Sequence, residues 1–216
     1  MTALGIDFGT TNTVLASVSP EGIAHAHGFH HSGAMQDAVR TALSFRRDTT
    51  RGNPPVPDVG PWAIQDFIDS PEETRFLQSF KSFAASPSFS DTAVFTRRYA
   101  FEDLMGIFLR RIMARGGLTA LPERLVIGRP VTFAGQNPDD ALAHKRYVAA
   151  LESLGFSDTH FVLEPVAAAL YYARSLTRDA TVLVGDFGGG SLYLAFGIMA
   201  RACQAPKLSG ICTATT

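Results

Sequence analysis

The strongest regularity along the chain is an apolar stripe. Phe101, Leu104, Met105, Phe108, Leu109 and Ile112 recur at i, i+3, i+4, i+7, i+8 and i+11, the spacing of one face of an α-helix, and Gly116-Gly117 closes it. Two further helices are predicted, over 139–154 ending at Gly155 and over 164–176. In the second, Pro165 suits the first turn because an N–H there has no intrahelical partner to lose. Ser70-Pro71-Glu72-Glu73 reads as another helix start, with a capping serine and acids facing the positive end of the dipole, and would carry Lys81 toward that helix's end. Short apolar runs bounded by turn residues predict strands at 4–7, 13–18, 23–26, 41–45, 124–127, 160–163 and 181–186. Residues 51–57 are expected to be loop, because prolines 54, 55 and 57 remove donors and fix φ. The chain thus opens as a β-meander and continues strand, helix, strand, helix, strand. That order is an α/β fold with a mixed, partly parallel sheet flanked by helices.

Composition narrows the function classes. The 216 residues are 46% apolar, enough to bury a core, and 19 basic against 20 acidic side chains leave a formal charge of −1. No overall field draws such a chain to nucleic acid or to an anionic membrane, so neither is expected as a partner. The start lacks a basic region and meets Asp7 too early for a signal peptide, and no later stretch has the roughly 18 uncharged apolar residues of a membrane helix. Cys203 and Cys212 both lie in the last fourteen residues and cannot staple the main body, which fits a reducing, cytoplasmic setting.

One local pattern occurs twice. Ile6-Asp7-Phe8-Gly9-Thr10-Thr11 is answered by Gly185-Asp186-Phe187-Gly188-Gly189-Gly190-Ser191, each an apolar strand ending in Asp-Phe-Gly and then small or hydroxyl residues. Glycines there let backbone N–H groups approach a phosphate closely. Thr10, Thr11, Asn12 and Ser191 add hydroxyl or amide donors, and Asp7 and Asp186 suit Mg²⁺, which prefers oxygen ligands. The bland alternative is a pair of hairpins whose glycines only satisfy turn geometry.

Four blocks together resemble the heat-shock protein 70 family, within the actin, sugar kinase and heat-shock-70 superfamily. Gly5-Ile6-Asp7-Phe8-Gly9-Thr10-Thr11-Asn12 is similar to its first phosphate loop. Gly128-Arg129-Pro130-Val131 with Phe133 is similar to a strand end of its shorter chaperone-like members, and Leu163-Glu164-Pro165-Val166-Ala167-Ala168-Ala169-Leu170 to a helix start of the family. Val184 to Ser191 is similar to the second phosphate loop. The resemblance implies an actin-like (ribonuclease H-like) ATPase lobe binding ATP or ADP with Mg²⁺, and, in a full-length form, client polypeptides or co-chaperones as partners. It implies that Asp7 and Asp186 place the metal and that Gly9, Thr10, Thr11, Asn12, Gly188, Gly189, Gly190 and Ser191 grip phosphate. By the same resemblance Lys81 reaches the γ-phosphate and Glu164 helps place the attacking water, the two needs of phosphoryl transfer to water. The plain alternatives are a solvated lysine and a glutamate that caps its helix.

The pattern breaks where the family carries an aspartate after the glycines, since Tyr193 stands there. Residues 1–191 are therefore expected to form one lobe with both Asp-Phe-Gly turns on one rim of its sheet, and 192–216 an atypical tail in which 194–198 can be a strand and 200–216 lacks periodicity. The expectation is a truncated or divergent chain without the lobe that holds adenosine, and hence at best a weak nucleotide binder. A protein kinase is excluded despite Asp-Phe-Gly, because neither its glycine-rich loop with lysine nor its His-Arg-Asp loop is present. A sugar kinase, a filament-forming relative and a non-catalytic interaction module remain as alternatives. His25, His27, His30 and His31 surround a turn without cysteine or clustered acid and read as loop histidines rather than a zinc site. Arg46-Arg47, Arg97-Arg98 and Arg110-Arg111 read as surface charge.

Overall fold

The computed structural model describes residues 3–50, 52–187, 192–199 and 207–214, with side chains through residue 185. Strands β1 (Ala3–Phe8), β2 (Asn12–Val18), β3 (Ala24–Ala26), β4 (Phe29–His31), β5 (Ala34–Gln36), β6 (Val39–Arg40), β7 (Ala42–Arg46) and β8 (Val56–Val59) lead to helix α1 (Gly60–Asp69). Then come β9 (Thr74–Gln78), a 3₁₀ turn (Phe80–Phe83), the hairpin β10 (Thr92–Val94) and β11 (Arg97–Tyr99), and α2 (Phe101–Arg115). β12 (Arg124–Arg129), α3 (Asp140–Ser153), β13 (Thr159–Leu163), α4 (Glu164–Ala173), β14 (Ala180–Phe187), β15 (Leu192–Met199) and β16 (Lys207–Ala214) follow.

The central sheet runs β13-β12-β1-β2-β3, with β6 also on β2. Its β13-β12-β1 part is parallel and its β1-β2-β3 part antiparallel, the mixed sheet expected. Alternation along the strands buries Leu4, Ile6 and Phe8 of β1 with Leu125 and Ile127 of β12 on one face. Against that face lie α2, whose whole predicted stripe is buried, and α3, through Ala143, Tyr147, Ala150 and Leu151. Phe8 sits among Phe80, Phe108 and Tyr147 with ring centroids 5.8, 5.6 and 6.1 Å away, in tilted and edge-on geometries that the ring quadrupoles favour. Asp139 caps α3 by accepting from the Leu142 amide at 2.8 Å.

Two local expectations need correction. Residues 56–57 are strand, not loop: among the described residues β8 pairs with β7 alone, Pro57 lying opposite Phe45, and an edge strand is where a sheet tolerates proline. Ser70-Pro71 ends a helix instead of starting one. Ser70 is the C-cap of α1, its amide donating to the Asp66 carbonyl at 3.0 Å, and Pro71 stands where a helix has just stopped. The start of α1 was signalled by Pro61 in its first turn. Glu72 and Glu73 lie in the turn to β9, and Lys81 is on the 3₁₀ turn rather than near a helix end. The helix expected to reach residue 176 stops at Ala173.

The strand predicted at 181–186 forms, but outside the central sheet. β14 pairs antiparallel with β15, and β15 with β16. A separate three-stranded sheet therefore joins residues on both sides of position 191, where the lobe was expected to end, and includes 207–214, where no regular element was expected. The reason is connectivity. α4 carries the chain away from β13, and the apolar runs of β14 and β15 are hairpin neighbours that satisfy each other.

A charge cluster ties the small sheet β8-β7-β9 to the helical layer. The Asp58 carboxylate, 14% exposed, pairs with Arg111 at 3.2 Å and with Arg115, whose guanidinium also lies 4.4 Å from the Trp62 ring centre. Arg111 is thus an internal tether and not the plain surface charge expected of Arg110-Arg111. Asp58→Asn leaves two guanidinium groups facing each other across a half-buried seam. Its expected cost is about 1–3 kcal/mol in urea unfolding, less than for a fully buried pair because both arginines keep some water.

Candidate functional site

The parallel strands deliver their ends to one rim. Ile6, Ile127 and Phe161 are in register, so the next positions along, Asp7, Gly128 and Val162, stand side by side on the face opposite the core. Open α/β sheets gather ligands at such carboxyl ends. Beyond Asp7 the chain turns through Gly9-Thr10-Thr11 into β2. The Gly9 amide donates to the Asn12 carbonyl at 3.0 Å, and a Cβ at Gly9 would fall 2.4 Å from that oxygen, so only glycine fits the turn. Thr41 holds it from β7's side: its hydroxyl donates to the Gly9 carbonyl at 2.7 Å and its amide to the Thr11 carbonyl at 2.8 Å. The Thr13 hydroxyl lies 2.9 Å from that of Thr41 in a buried contact. These bonds commit the Gly9 amide and the Gly9, Thr11 and Asn12 carbonyls, and none of them uses the amides of Thr10 and Thr11.

Lys81 and Glu164 meet at this rim. The Lys81 ammonium crosses the Phe8 ring, 5.9 Å from its centre, and donates to Glu164 Oε1 at 2.7 Å; the side chains are 7% and 19% exposed. Both plain alternatives for these residues fail, because the lysine is buried and the glutamate makes no cap for α4. Gly128 makes room for the carboxylate: a Cβ there would sit 3.3 Å from Glu164 Cγ. Asp7 and Glu164 line one cavity of about 490 Å³ over the open face of the sheet, with Gly5, Val14, Val126 and Ala167 among its walls. Thr10 and Thr11 line another of about 460 Å³ with Arg40 and Ser79.

The arrangement brings together Asp7, Gly9, Thr10, Thr11, Asn12, Lys81 and Glu164 from three separate stretches of sequence. Asp186, next to last in β14, is opposite Tyr193 in the second sheet, and its side chain, like the whole of Gly188, Gly189, Gly190 and Ser191, lies outside the described residues. Among the described residues no three metal-ligating side chains cluster, and two of the four loop histidines have contacts of their own. His27 bridges the Ser17 hydroxyl and the Gly116 carbonyl, and His31 packs edge-on to Trp62. No described helix is long and apolar enough to cross a membrane.

Two contributors escaped the sequence reading. Thr41 carries no motif. Tyr147 lies on α3 beneath Phe8, fully buried, and its hydroxyl has no hydrogen-bond partner among the described residues. Burial first, then the Glu164 charge and then that of Asp7, push this phenol well above its ordinary value of 10.0.

These contacts set two expected outcomes. Glu164→Gln strands a buried ammonium and should cost about 2–4 kcal/mol in urea unfolding, most of it recovered when Lys81→Met is added, because the penalty is the unpaired charge. A cycle with no coupling between the two sites would show that the pair does not form. Tyr147→Phe removes only the orphan hydroxyl and should leave stability near neutral pH equal or higher. Because folding raises this pKa, the phenol's contribution is present in full below about pH 10 and is lost as pH climbs above it, where the unfolded chain alone ionises. The variant should therefore lose less stability than the parent above about pH 10, read as the urea midpoint against pH.

No protein-family model matches the chain. It is similar to the chaperone protein dnaK of Guillardia theta, with 26% identity over 200 residues, 87% of this chain and 31% of that protein. The chaperone protein HscA homolog of Cupriavidus metallidurans is 26% identical over 212 residues, 88% of this chain and 31% of its own length. The chaperone protein DnaK of Halobacterium salinarum is 29% identical over 193 residues, 87% of this chain and 27% of its own length. The chain spans less than a third of the curated relatives it matches, and within that span it is distantly similar to chaperones of the heat-shock-70 type.

Proposed function

We propose that the chain is the phosphate-gripping part of a heat-shock-70-like, actin-like nucleotide-binding domain. The observation that carries this reading is the buried Lys81–Glu164 pair at the rim that also bears the Gly9-Thr10-Thr11 turn and Asp7. A buried cation beside a glycine turn that carries hydroxyls suits a polyphosphate, and a carboxylate against that cation suits a water that must be oriented. The distant similarity to DnaK and HscA chaperones supports the same reading.

The residues present fit nucleotide and Mg²⁺. Asp7 is an exposed carboxylate next to Gly128, which has no side chain to crowd it, and Thr10 and Thr11 add hydroxyls to the turn. Asp7, with Asp186 as the second carboxylate, would hold Mg²⁺, which when bound neutralises phosphate charge and polarises the transferring group. Gly9, Thr10, Thr11 and Asn12, with Gly188, Gly189, Gly190 and Ser191, would take the phosphates. Glu164 would orient water and accept its proton, while Lys81 would turn from Glu164 toward the γ-phosphate. In a longer protein, client polypeptides and co-chaperones would be the partners, in the cytoplasm. In this reading the groups at the rim would serve phosphate and metal, and none of those named would read adenine.

Calorimetry on the chain with ATP, ADP and inorganic triphosphate, each with and without Mg²⁺, tests this. Expected are Mg²⁺-dependent binding, little preference for ATP over triphosphate, and about tenfold weaker binding in Asp7→Asn, where one ligand charge is lost. Absence of any Mg²⁺-dependent binding, or an Asp7→Asn variant that binds like the parent, overturns the assignment. Adenine-selective binding with sustained hydrolysis would place further site residues in the chain.

A further inference from the structure

Lys81 stands on a segment that does not hold itself. The 3₁₀ turn Phe80–Phe83 opens on Ser79 in the left-handed region, at φ +54, a conformation that costs a non-glycine residue. Inside the turn the bonds are of the weaker i→i+3 kind, Ser82 to Ser79 at 3.1 Å and Ala84 to Lys81 at 3.0 Å. The stretch that follows, 84–91, forms no strand or helix. Left alone, such a segment belongs to the low-stability end of a fold.

Phe80, Ala84 and Ala85 anchor the segment in the core, and the hold on its backbone comes from α3. The Arg146 guanidinium, 11% exposed as a side chain, reaches across to this stretch and donates from Nη1 to the carbonyls of Phe83, Ala84 and Ser86 at 2.9, 3.0 and 3.1 Å, and from Nη2 to that of Phe89 at 2.5 Å. The Asp139 amide at the start of the same helix takes the Ala85 carbonyl at 2.9 Å. Five carbonyls in seven residues thus point at one helix, four of them at one planar cation. Glu102 of α2 stands 4.0 Å from Arg146 Nε and offsets its charge. A planar fork with five donors can gather several carbonyls; an ammonium, a point charge with three, cannot match that geometry.

We propose that Arg146 is a positioning residue for Lys81: by gathering the carbonyls of Phe83, Ala84, Ser86 and Phe89 it locks the Lys81 turn shut, so that the ammonium stays buried at the rim against Glu164. None of these Arg146 hydrogen bonds goes to Lys81 or Glu164, so the guanidinium acts through the backbone between. The inference builds on the phosphate-site reading, in which Lys81 is the cation that meets phosphate. It also makes α3 the element through which any movement of the helical layer would reach that cation.

The test is the acylation rate of Lys81 in the full chain without nucleotide, read by peptide mass spectrometry. The chain has three lysines, and Lys145, exposed on α3, serves as the internal reference. A buried amine reacts only through local opening, so its rate reports how often the turn opens. Arg146→Gln should raise the Lys81 rate about tenfold over that of Lys145, and Arg146→Lys, which keeps the charge and stem, about threefold. Asp58→Asn, which loosens the fold at the β8–α2 seam, is the control for general destabilisation and should leave the Lys81 rate near that of the parent at temperatures well below its unfolding midpoint. If the Asp58→Asn and Arg146→Gln chains expose Lys81 equally, or if Lys81 stays protected in both Arg146 variants, the proposal is wrong. Should Arg146→Gln not fold, Arg146→Lys decides by the same comparison. Because no nucleotide enters the measurement, a chain that ignores ATP still decides it, and failure here is separate from failure of the phosphate-site reading.

Discussion

An ammonium group taken out of water must meet a negative charge or give up its proton, and Lys81 meets Glu164. That one pairing constrains much of the molecule. It joins positions 83 residues apart, so the 3₁₀ turn beyond β9, the end of β13 and the first residue of α4 must all arrive at one place. Phe8 must lie flat enough beneath the cation for it to pass, and Phe8 is in turn fixed by Phe80, Phe108 and Tyr147. Gly128 must lack a side chain so that the carboxylate can stand at the rim.

The pairing also shapes what the rim can do. A lysine already neutralised by a carboxylate does not attract an anion as a free cation would; a phosphate has to compete with Glu164 for it. Binding and the release of Glu164 toward water would then be linked events at one pair of side chains. The turn at Gly9 is different in kind. Its Gly9 amide is committed to the Asn12 carbonyl, and its Gly9 and Thr11 carbonyls to Thr41, so its shape is fixed by the chain's own hydrogen bonds rather than by an ion pair.

The central sheet was legible wherever the local signal and the tertiary demand agreed. The stripe on α2, the capped α3, and the strands β1, β2, β12 and β13 all follow from apolar spacing and turn residues, because each of these elements buries one face against a neighbour that wants the same pattern. Reading failed where punctuation was ambiguous. Ser-Pro-Glu-Glu has the residues of a helix start, yet Pro71 equally suits the end of α1, and the Asp66 carbonyl that receives the Ser70 amide cannot be seen from spacing. Pro57 argued against a strand because the sequence does not say which strand will lie at an edge.

At the site, the sequence by itself determined the chemistry of the parts: a glycine turn after Asp7, hydroxyls at Thr10 and Thr11, a lone lysine at 81, and a glutamate at the head of a proline-led helix. The four motif blocks, in their order, also carried the likeness to heat-shock-70 chaperones. Only the tertiary structure decided that Lys81 is buried rather than solvated, that Glu164 answers it instead of capping α4, and that Arg146 and Thr41 hold the backbone on either side. It also decided that β14 pairs with β15 and β16 in a sheet apart from the central one. The physical reason is range. Turn geometry and helix periodicity depend on residues a few places apart, whereas the state of a charge depends on how much water is left around it and on which distant groups the fold brings within a few ångströms.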